Sequence, residues 1–239
     1  MGDLAERLME ELECETVFTL PIRIPAIPQY ADGIPIYESV VVTWIIMAVL
    51  ILVSVLLTRN MRIDHISKRQ ALVELLVTKL TGLVEGMIGE RGKSYVPWLT
   101  TVLLYIGVAN MFGLFGFKSP TKDLNVTIAL AAMSIILVEA AGIYHLGIRK
   151  WLHKFIEPVP VVAPINLMEL VTRPLSLCMR RFGNVLGAFV IMEMIKIVVP
   201  VILPAVLSVY FDIFDGVLQA YVFVFLTSLY ISEMLETED

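Results

Sequence analysis

Four polar side chains interrupt an otherwise apolar stretch in the second half of this chain: Glu169, Arg173, Arg180 and Asn184. Offsets of four, seven and four residues place them on one face of a helix. Glu169 can pair with Arg173 at i,i+4, and the long stem of Arg173 can also carry its charge out to a headgroup layer. Arg180 is eleven residues from Glu169, about 16 Å of helical rise, so its own stripe offers it no carboxylate. A guanidinium cannot shed its charge, so the partner of Arg180 is water, another helix, or a carboxylate on another chain. An ionisable group at the bilayer centre costs at least about 2.5–3.5 kcal/mol, so a stripe of this kind calls for a function that handles charge.

Further polar residues stand nearby in the sequence. Glu193 follows Arg180 by thirteen residues, about 220° round the helix, and either lines a path on another face or pairs with Lys196 at i,i+3. Asp212 and Gln219 are seven residues apart and share a face of the last helix, where Asp212 is either a channel group or a helix-start residue. Glu139 and His145 are six apart and share no face, which favours a water-lined path or helix-to-helix hydrogen bonds over a metal site. Asn110, Asp123 and Asn125 flank a short polar loop and either line an entrance or serve as caps and loop hydrogen bonds. Cys14 and Cys178 lie far apart and suggest neither a disulfide nor a metal centre. With no G-x-x-x-x-G-K-[ST] run, no nucleotide hydrolysis is expected of this chain, and no catalytic residue, metal or cofactor is expected either.

These residues belong to a chain of 239 residues that is 58% apolar and 17% charged, with a mean hydropathy of +0.82. Soluble domains are about 45–50% apolar and about 25% charged, so the bilayer is the solvent for this chain and a soluble enzyme is excluded. A net charge of -5 argues against nucleic acid as a partner. Residues 1–38 hold eight acids against Arg7 and Arg23 and read as an acidic external arm; residues 39–239 read as a single helical membrane domain. No basic run precedes an early apolar segment, so no signal peptide is expected.

The first span is Ser39 to Leu57, nineteen residues without a charge. Arg59, Arg62, Lys68 and Arg69 then outnumber Asp64, which marks the inner side and sets the N-terminus outside. Leu72, Val73, Leu76, Leu80, Leu83, Val84 and Met87 recur at three- and four-residue steps, predicting an amphipathic helix over 70–90 on the inner interface. A span from about Pro97 to Gly116, a loop from Lys118 to Asn125 and a span from Val126 to Leu146 follow, and Arg149, Lys150, His153 and Lys154 return the chain to the basic side. Pro158 to Val199 is too long for one upright span and must be tilted, bent or partly outside the bilayer. Pro200 and Pro204 break it before a second long helix over about 205–233, and Glu233, Glu236, Glu238 and Asp239 end the chain inside. The expected fold is an all-α membrane protein with five spanning segments plus an interfacial amphipathic helix. Without an internal repeat, the inverted-repeat transporter architecture has no support, although an independent secondary ion transporter and a membrane scaffold remain the competing readings.

The run PLSLCMRRFGN at 174–184 resembles the P-L-S-L-x-x-R-x-F-G-N signature of subunit a of the F-type ATP synthase, the stator beside the rotating c-ring. PTKDLNVT at 120–127 resembles the family's P-T-x-D-L-N-V-T, PINLME at 164–169 its P-I-N-x-x-E, and LQAY at 218–221 its L-Q-A-[FY]. With WIIM at 44–47 and the run from Gly107 to Gly113 around Asn110, the resemblance covers about residues 35–235. It implies that Arg180 faces an essential carboxylate of each passing c subunit, helped by Asn184 and Gln219, that two half-channels reach this interface, and that the last two long helices tilt against the ring. The implied partners are the c-ring, the peripheral-stalk subunit b and, indirectly, the soluble ATPase head, with one copy per complex in an energy-coupling membrane such as the bacterial plasma membrane. The ion is H⁺ or Na⁺, with H⁺ favoured.

The chain also departs from the family pattern. The acid often found nine residues after the essential Arg is replaced by Phe189, and Glu193 is the nearest substitute. Asp212 stands seven residues before Gln219, where the family often has His or Glu. Both are expected in the outer half-channel. Arg181 holds a position that is usually apolar in the family.

Overall fold

The structure, a computed structural model, describes residues 16–20, 34–59, 61, 67–112, 119–154, 163–198, 207 and 209–235. Arg62, Asp64, Gly113, Lys118, Pro158, Pro200, Pro204, Glu236, Glu238 and Asp239, each used in the sequence reading, lie outside the described residues.

The arm holds an element that its acidic composition hides. Strand β1 (Thr16–Leu20) pairs antiparallel with β2 (Ile34–Tyr37), Thr16 opposite Tyr37 and Leu20 opposite Ile34, with an irregularity between Thr16 and Phe18. Thr-Val-Phe-Thr-Leu is rich in β-formers, but Pro35 in the partner strand masked the pattern, since proline is tolerated only where its missing N–H is not needed. β2 runs directly into α1 (Glu38–Thr58), so the purely helical class holds for the membrane part and not for the arm.

Helix α1 buries only Ser39, Val42 and Ile46 and turns Ile51, Leu52 and Val55 outward, the pattern of a helix solvated by lipid on most of its surface. Arg69 Nη2 donates to the Arg59 carbonyl at 2.9 Å, satisfying a backbone acceptor at the end of α1. Helix α2 (Lys68–Ile88) is capped by Ser67, whose hydroxyl accepts from the Gln70 N–H at 3.2 Å, and closes on Gly89 at φ +74°. Its apolar arc divides between the bundle and the outside. Val73, Val84 and Ile88 pack inward, while Leu72, Leu75, Leu76 and Leu83 face out. Both ends of α2 meet the same end of the bundle, one beside Arg59 and the other leading through the turn Glu90–Tyr95 into α3 (Val96–Met111).

Helix α3 presents Leu99, Val102, Ile106 and Ala109 to the core at helical spacing. Asp123 caps α4 (Leu124–Leu146), accepting from the Asn125 N–H at 2.9 Å. Gly147, at φ +77°, ends α4 and turns the chain back into the short basic α5 (Ile148–Lys154). Helix α6 (Ala163–Val198) runs 36 residues, about 54 Å, through Pro174, which leaves the Leu170 carbonyl without its helical donor. A single π turn (Phe211–Asp215) opens α7 (Gly216–Leu235).

Helix α7 is the hub. It packs on α2, α3 and α4 and buries Ala220, Phe223, Val224, Thr227, Ser228 and Ile231. The Thr227 and Ser228 hydroxyls donate to their own helix, to the Phe223 carbonyl at 2.9 Å and the Phe225 carbonyl at 2.8 Å, so burying them leaves no donor unmet. Among the described residues three helices are long and apolar enough to cross a membrane: Glu38–Thr58, Leu124–Leu146 and Ile213–Leu235. The chain is a multi-helix α membrane protein. One end of its bundle carries the β pair and the start of α1; the other carries the basic residues Arg59, Arg69, Arg149 and Lys150.

Candidate functional site

Two polar ties join α6 to α7. Near the arm end Asn184 Nδ2 donates to Gln219 Oε1 at 3.0 Å, and Gln219 is buried. Near the basic end Arg173 Nη2 donates to Glu233 Oε1 at 2.9 Å and to Glu169 Oε2 at 2.9 Å, and the guanidinium lies 4.9 Å over the Tyr230 ring. The Arg173 side chain keeps only 12% of its exposure, against 50% and 49% for its two carboxylates, and its Nη1 is buried without a hydrogen-bond partner. The i,i+4 pair expected from spacing is present, and Glu233 of α7 joins it.

These ties set an antiparallel register in which the level of Arg180 falls at Phe223–Leu226 on α7. That run is apolar, so α7 offers Arg180 no carboxylate. Arg180 is exposed and makes no ion pair among the described residues, while Leu177 and Cys178, within one turn of it, are buried. Asn184 and Arg180 do lie on one stripe, one turn apart, as the offsets predict. Carried towards the arm end, the same register brings the backbone level of Glu193 to that of Asp212, which sits in the π turn.

A buried polar network occupies the arm end. Asn110 Nδ2 donates to the Gly216 carbonyl at 2.7 Å, and the Thr121 hydroxyl donates to Asn110 Oδ1. Ser119 Oγ lies 2.7 Å from Thr121 Oγ1 and donates to the Ala109 carbonyl at 2.9 Å. The Ser39 hydroxyl of α1 donates to Asp123 Oδ2, and Thr127 Oγ1 donates to the Thr121 and Asp123 carbonyls at 3.2 and 3.0 Å. Gly216 is required where it stands: a Cβ there would lie 2.8 Å from the Asn110 Cβ. Asn110 and Asp123 are thus interior groups joining α1, α3, α4 and α7, and Asn125 is exposed, meeting Asp123 through its backbone N–H.

Glu139 and His145 are not brought together. Trp151 of α5 folds back to donate Nε1–H to Glu139 Oε2 at 2.8 Å, in room left by Gly142, whose missing Cβ would lie 3.2 Å from the indole. His145 is exposed at the other end of that turn, its ring edge-on to Tyr144 at 5.4 Å and tilted against Tyr95 at 6.2 Å. No group of three His, Cys, Asp or Glu residues converges on a metal position among the described residues. Sequence spacing singled out Arg173, Glu139, Asp123 and Asn110 but missed their partners, Glu233, Trp151, Ser39 and Gly216 in turn. Contacts across 12 to 106 residues depend on how helices pack, which no local pattern carries.

Comparison with known proteins gives the family. The family model described as ATP synthase A chain matches residues 40–232, a span that holds the Asn184–Gln219 tie and all of the polar network except Ser39, and ends one residue before Glu233. The chain is 36% identical over 204 residues to ATP synthase subunit a of Moorella thermoacetica, covering 84% of this chain and 92% of that one. It is 33% identical over 196 residues to ATP synthase subunit a 1 of Crocosphaera subtropica, covering 81% and 85%. To the ATP synthase subunit a of Propionigenium modestum named as sodium ion specific, it is 32% identical over 215 residues, covering 83% and 74%. With its signature runs and a match across most of its length, the chain belongs to the ATP synthase subunit a family, the non-catalytic membrane stator of the complex.

Proposed function

We propose that this chain carries ions through two half-channels that meet at Arg180, and so couples ion flow to c-ring rotation. The observation that carries the reading is the setting of Arg180: an exposed permanent charge on α6, bracketed by two polar ties to α7, with the apolar run Phe223–Leu226 of α7 at its level. A carboxylate brought beside it by a passing c subunit is held ionised, because an adjacent positive charge lowers a carboxyl pKa. The ion is therefore released before the carboxylate passes, and the same charge repels a cation leaking directly from one half-channel to the other. Each elementary charge that crosses gains about 2.3 kcal/mol per 100 mV, so several crossings are summed by rotation for each ATP made in the soluble head.

Glu193, Asp212, Gln219 and Asn184 form the outer half-channel in this reading, supported by the shared level of the two acids and by the polar line that Asn110 and the Gly216 carbonyl begin. Asn125, Glu139 and His145 are secondary lining candidates. The chain crosses the membrane five times, with α2 at the inner interface, the N-terminus outside and the C-terminus inside, and binds the c-ring and the peripheral-stalk subunit b. The ion is H⁺; since a relative is named sodium ion specific, lack of any Na⁺ dependence of coupled synthesis is the check on that choice.

The deciding experiment is substitution in the assembled complex. Arg180→Ala abolishes coupled synthesis and raises passive ion flow. Arg180→Lys fails as well, because a desolvated ammonium can lose its proton and lacks the planar fork that meets a carboxylate. Arg181→Leu keeps substantial activity. Normal synthesis by Arg180→Ala together with loss in Arg181→Leu would overturn the assignment of the essential charge to Arg180.

A further inference from the structure

We propose that Arg173 is a positioning residue for Arg180: its tie to Glu233 of α7 fixes the height and rotation of α6 at the level where Arg180 meets its partner. The inference rests on the role proposed for Arg180. Between Arg173 and Asn184 lie about three turns of α6, and Arg180 stands seven residues from the first and four from the second. One tie lies on either side of Arg180, and between them α6 rests on α4 through apolar packing that includes the buried Leu177. The upper tie is a single neutral amide pair. The lower one is charged, and a second carboxylate and an aromatic face hold its guanidinium in place.

Pro174 makes this tie matter more. Directly after Arg173 the helix lacks the N–H that would bond the Leu170 carbonyl, so the backbone ladder is weakest where the charged tie is made. An unrestrained bend at Pro174 would swing the seven residues up to Arg180 as a lever about 10 Å long, and a change of a few degrees in rotation would carry the guanidinium off the approaching carboxylate. Glu233 supplies the restraint from the hub helix, whose neighbouring residues Ile231, Met234 and Leu235 are all buried, so the anchor itself does not yield.

The test uses the whole ATP synthase containing this chain, reconstituted in liposomes, with results expressed per assembled complex. ATP synthesis under an imposed ion gradient is measured for Arg173→Lys, Arg173→Leu, Glu233→Gln and the Leu/Gln double variant, with passive ion permeability of the membrane sector as the second readout. Arg173→Lys, which keeps the ion pair, retains about half or more of the synthesis rate. Arg173→Leu and Glu233→Gln lower it roughly ten- to a hundredfold while raising passive permeability, since small misplacement of a reacting group costs rates of this order. The double variant falls no further than the singles, because all three remove one tie. Where the charge at 173 serves only to stabilise the fold, assembly drops but synthesis per assembled complex and permeability do not change, which would overturn the proposal. If Arg173→Leu does not assemble, Glu233→Gln, which leaves Arg173 paired with Glu169, decides in the same terms. Loss of coupling in Arg180→Ala alongside unchanged Glu233→Gln rejects the positioning role alone, whereas full coupling in Arg180→Ala rejects the function on which it rests.

Discussion

Arg180 and Arg173 are seven residues apart on one helix and have opposite surroundings. Arg173 meets two carboxylates and a ring between α6 and α7, whereas Arg180 is exposed and makes no ion pair among the described residues. Replacing Glu193 with Gln and Asp212 with Asn together should slow coupled synthesis several-fold while the complex still assembles. Full retention of the rate in that double variant, measured in reconstituted vesicles, would assign both to structure. Glycine gives a sharper local test. At Gly216 a Cβ would lie 2.8 Å from the Asn110 Cβ, so Gly216→Ala must push α3 from α7 and should destabilise by about 1–3 kcal/mol, the usual cost of overpacking. Gly107 of α3 has open space at its Cβ position, and Gly107→Ala should be neutral or stabilising by up to about 1 kcal/mol through helix propensity. Thermal denaturation of the solubilised complex carrying either variant would separate the two.

At the scale of elements, α5 shows how a short helix too small to be stable by itself is held in place. Seven residues give less than two turns of hydrogen bonds, so α5 depends on Gly147 for its reversal and on the Trp151 to Glu139 bond for its anchor. Removing the donor in Trp151→Phe, or the charge in Glu139→Gln, should each cost about 1–3 kcal/mol, with a non-additive double variant. Additive losses in a double-mutant cycle would mean that the two side chains do not act on one another. Helix α2 has a comparable dependence. Its inward residues Val73, Val84 and Ile88 attach it to the bundle, and the outward Leu72, Leu75, Leu76 and Leu83 suit the inner membrane interface proposed for it.

For the molecule as a whole, the orientation rests on the clustering of basic residues at one end of the bundle. A cysteine introduced at Lys122 should be labelled by an impermeant reagent from outside, and one at Lys150 from inside; reversed sidedness at both sites would invert the topology. The polar network at the arm end ties α1, α3, α4 and α7 through side chains that are nearly all buried, and the Arg173 cluster ties α6 and α7 at the other. In a bilayer, where the hydrophobic effect does not hold helices together, such polar contacts and close packing at small residues supply the cohesion. The hub helix α7 carries both kinds, Gly216 and Gln219 at one end and Glu233 at the other.

Much of this was legible in the amino-acid sequence alone. Apolar length fixed α1 and α4, and the offsets of Glu169, Arg173, Arg180 and Asn184 gave their common stripe, because helical periodicity is a local property of the chain. The signature runs pointed to the family that the comparisons establish. Tertiary structure alone decided who meets whom. Asn184 and Gln219 were each singled out but not as partners; Glu233 read as a tail acid and proved to be a ligand of Arg173; Asn110 and Asp123 proved to be interior ties. Which part of the apolar arc of α2 is buried, and the strand pair in the arm, were likewise decided only by packing. The physical reason is one of range. Period and charge report each residue's position on its own helix, while register between helices is set by the sum of many weak contacts, and a shift of one turn in that register would leave every sequence pattern unchanged.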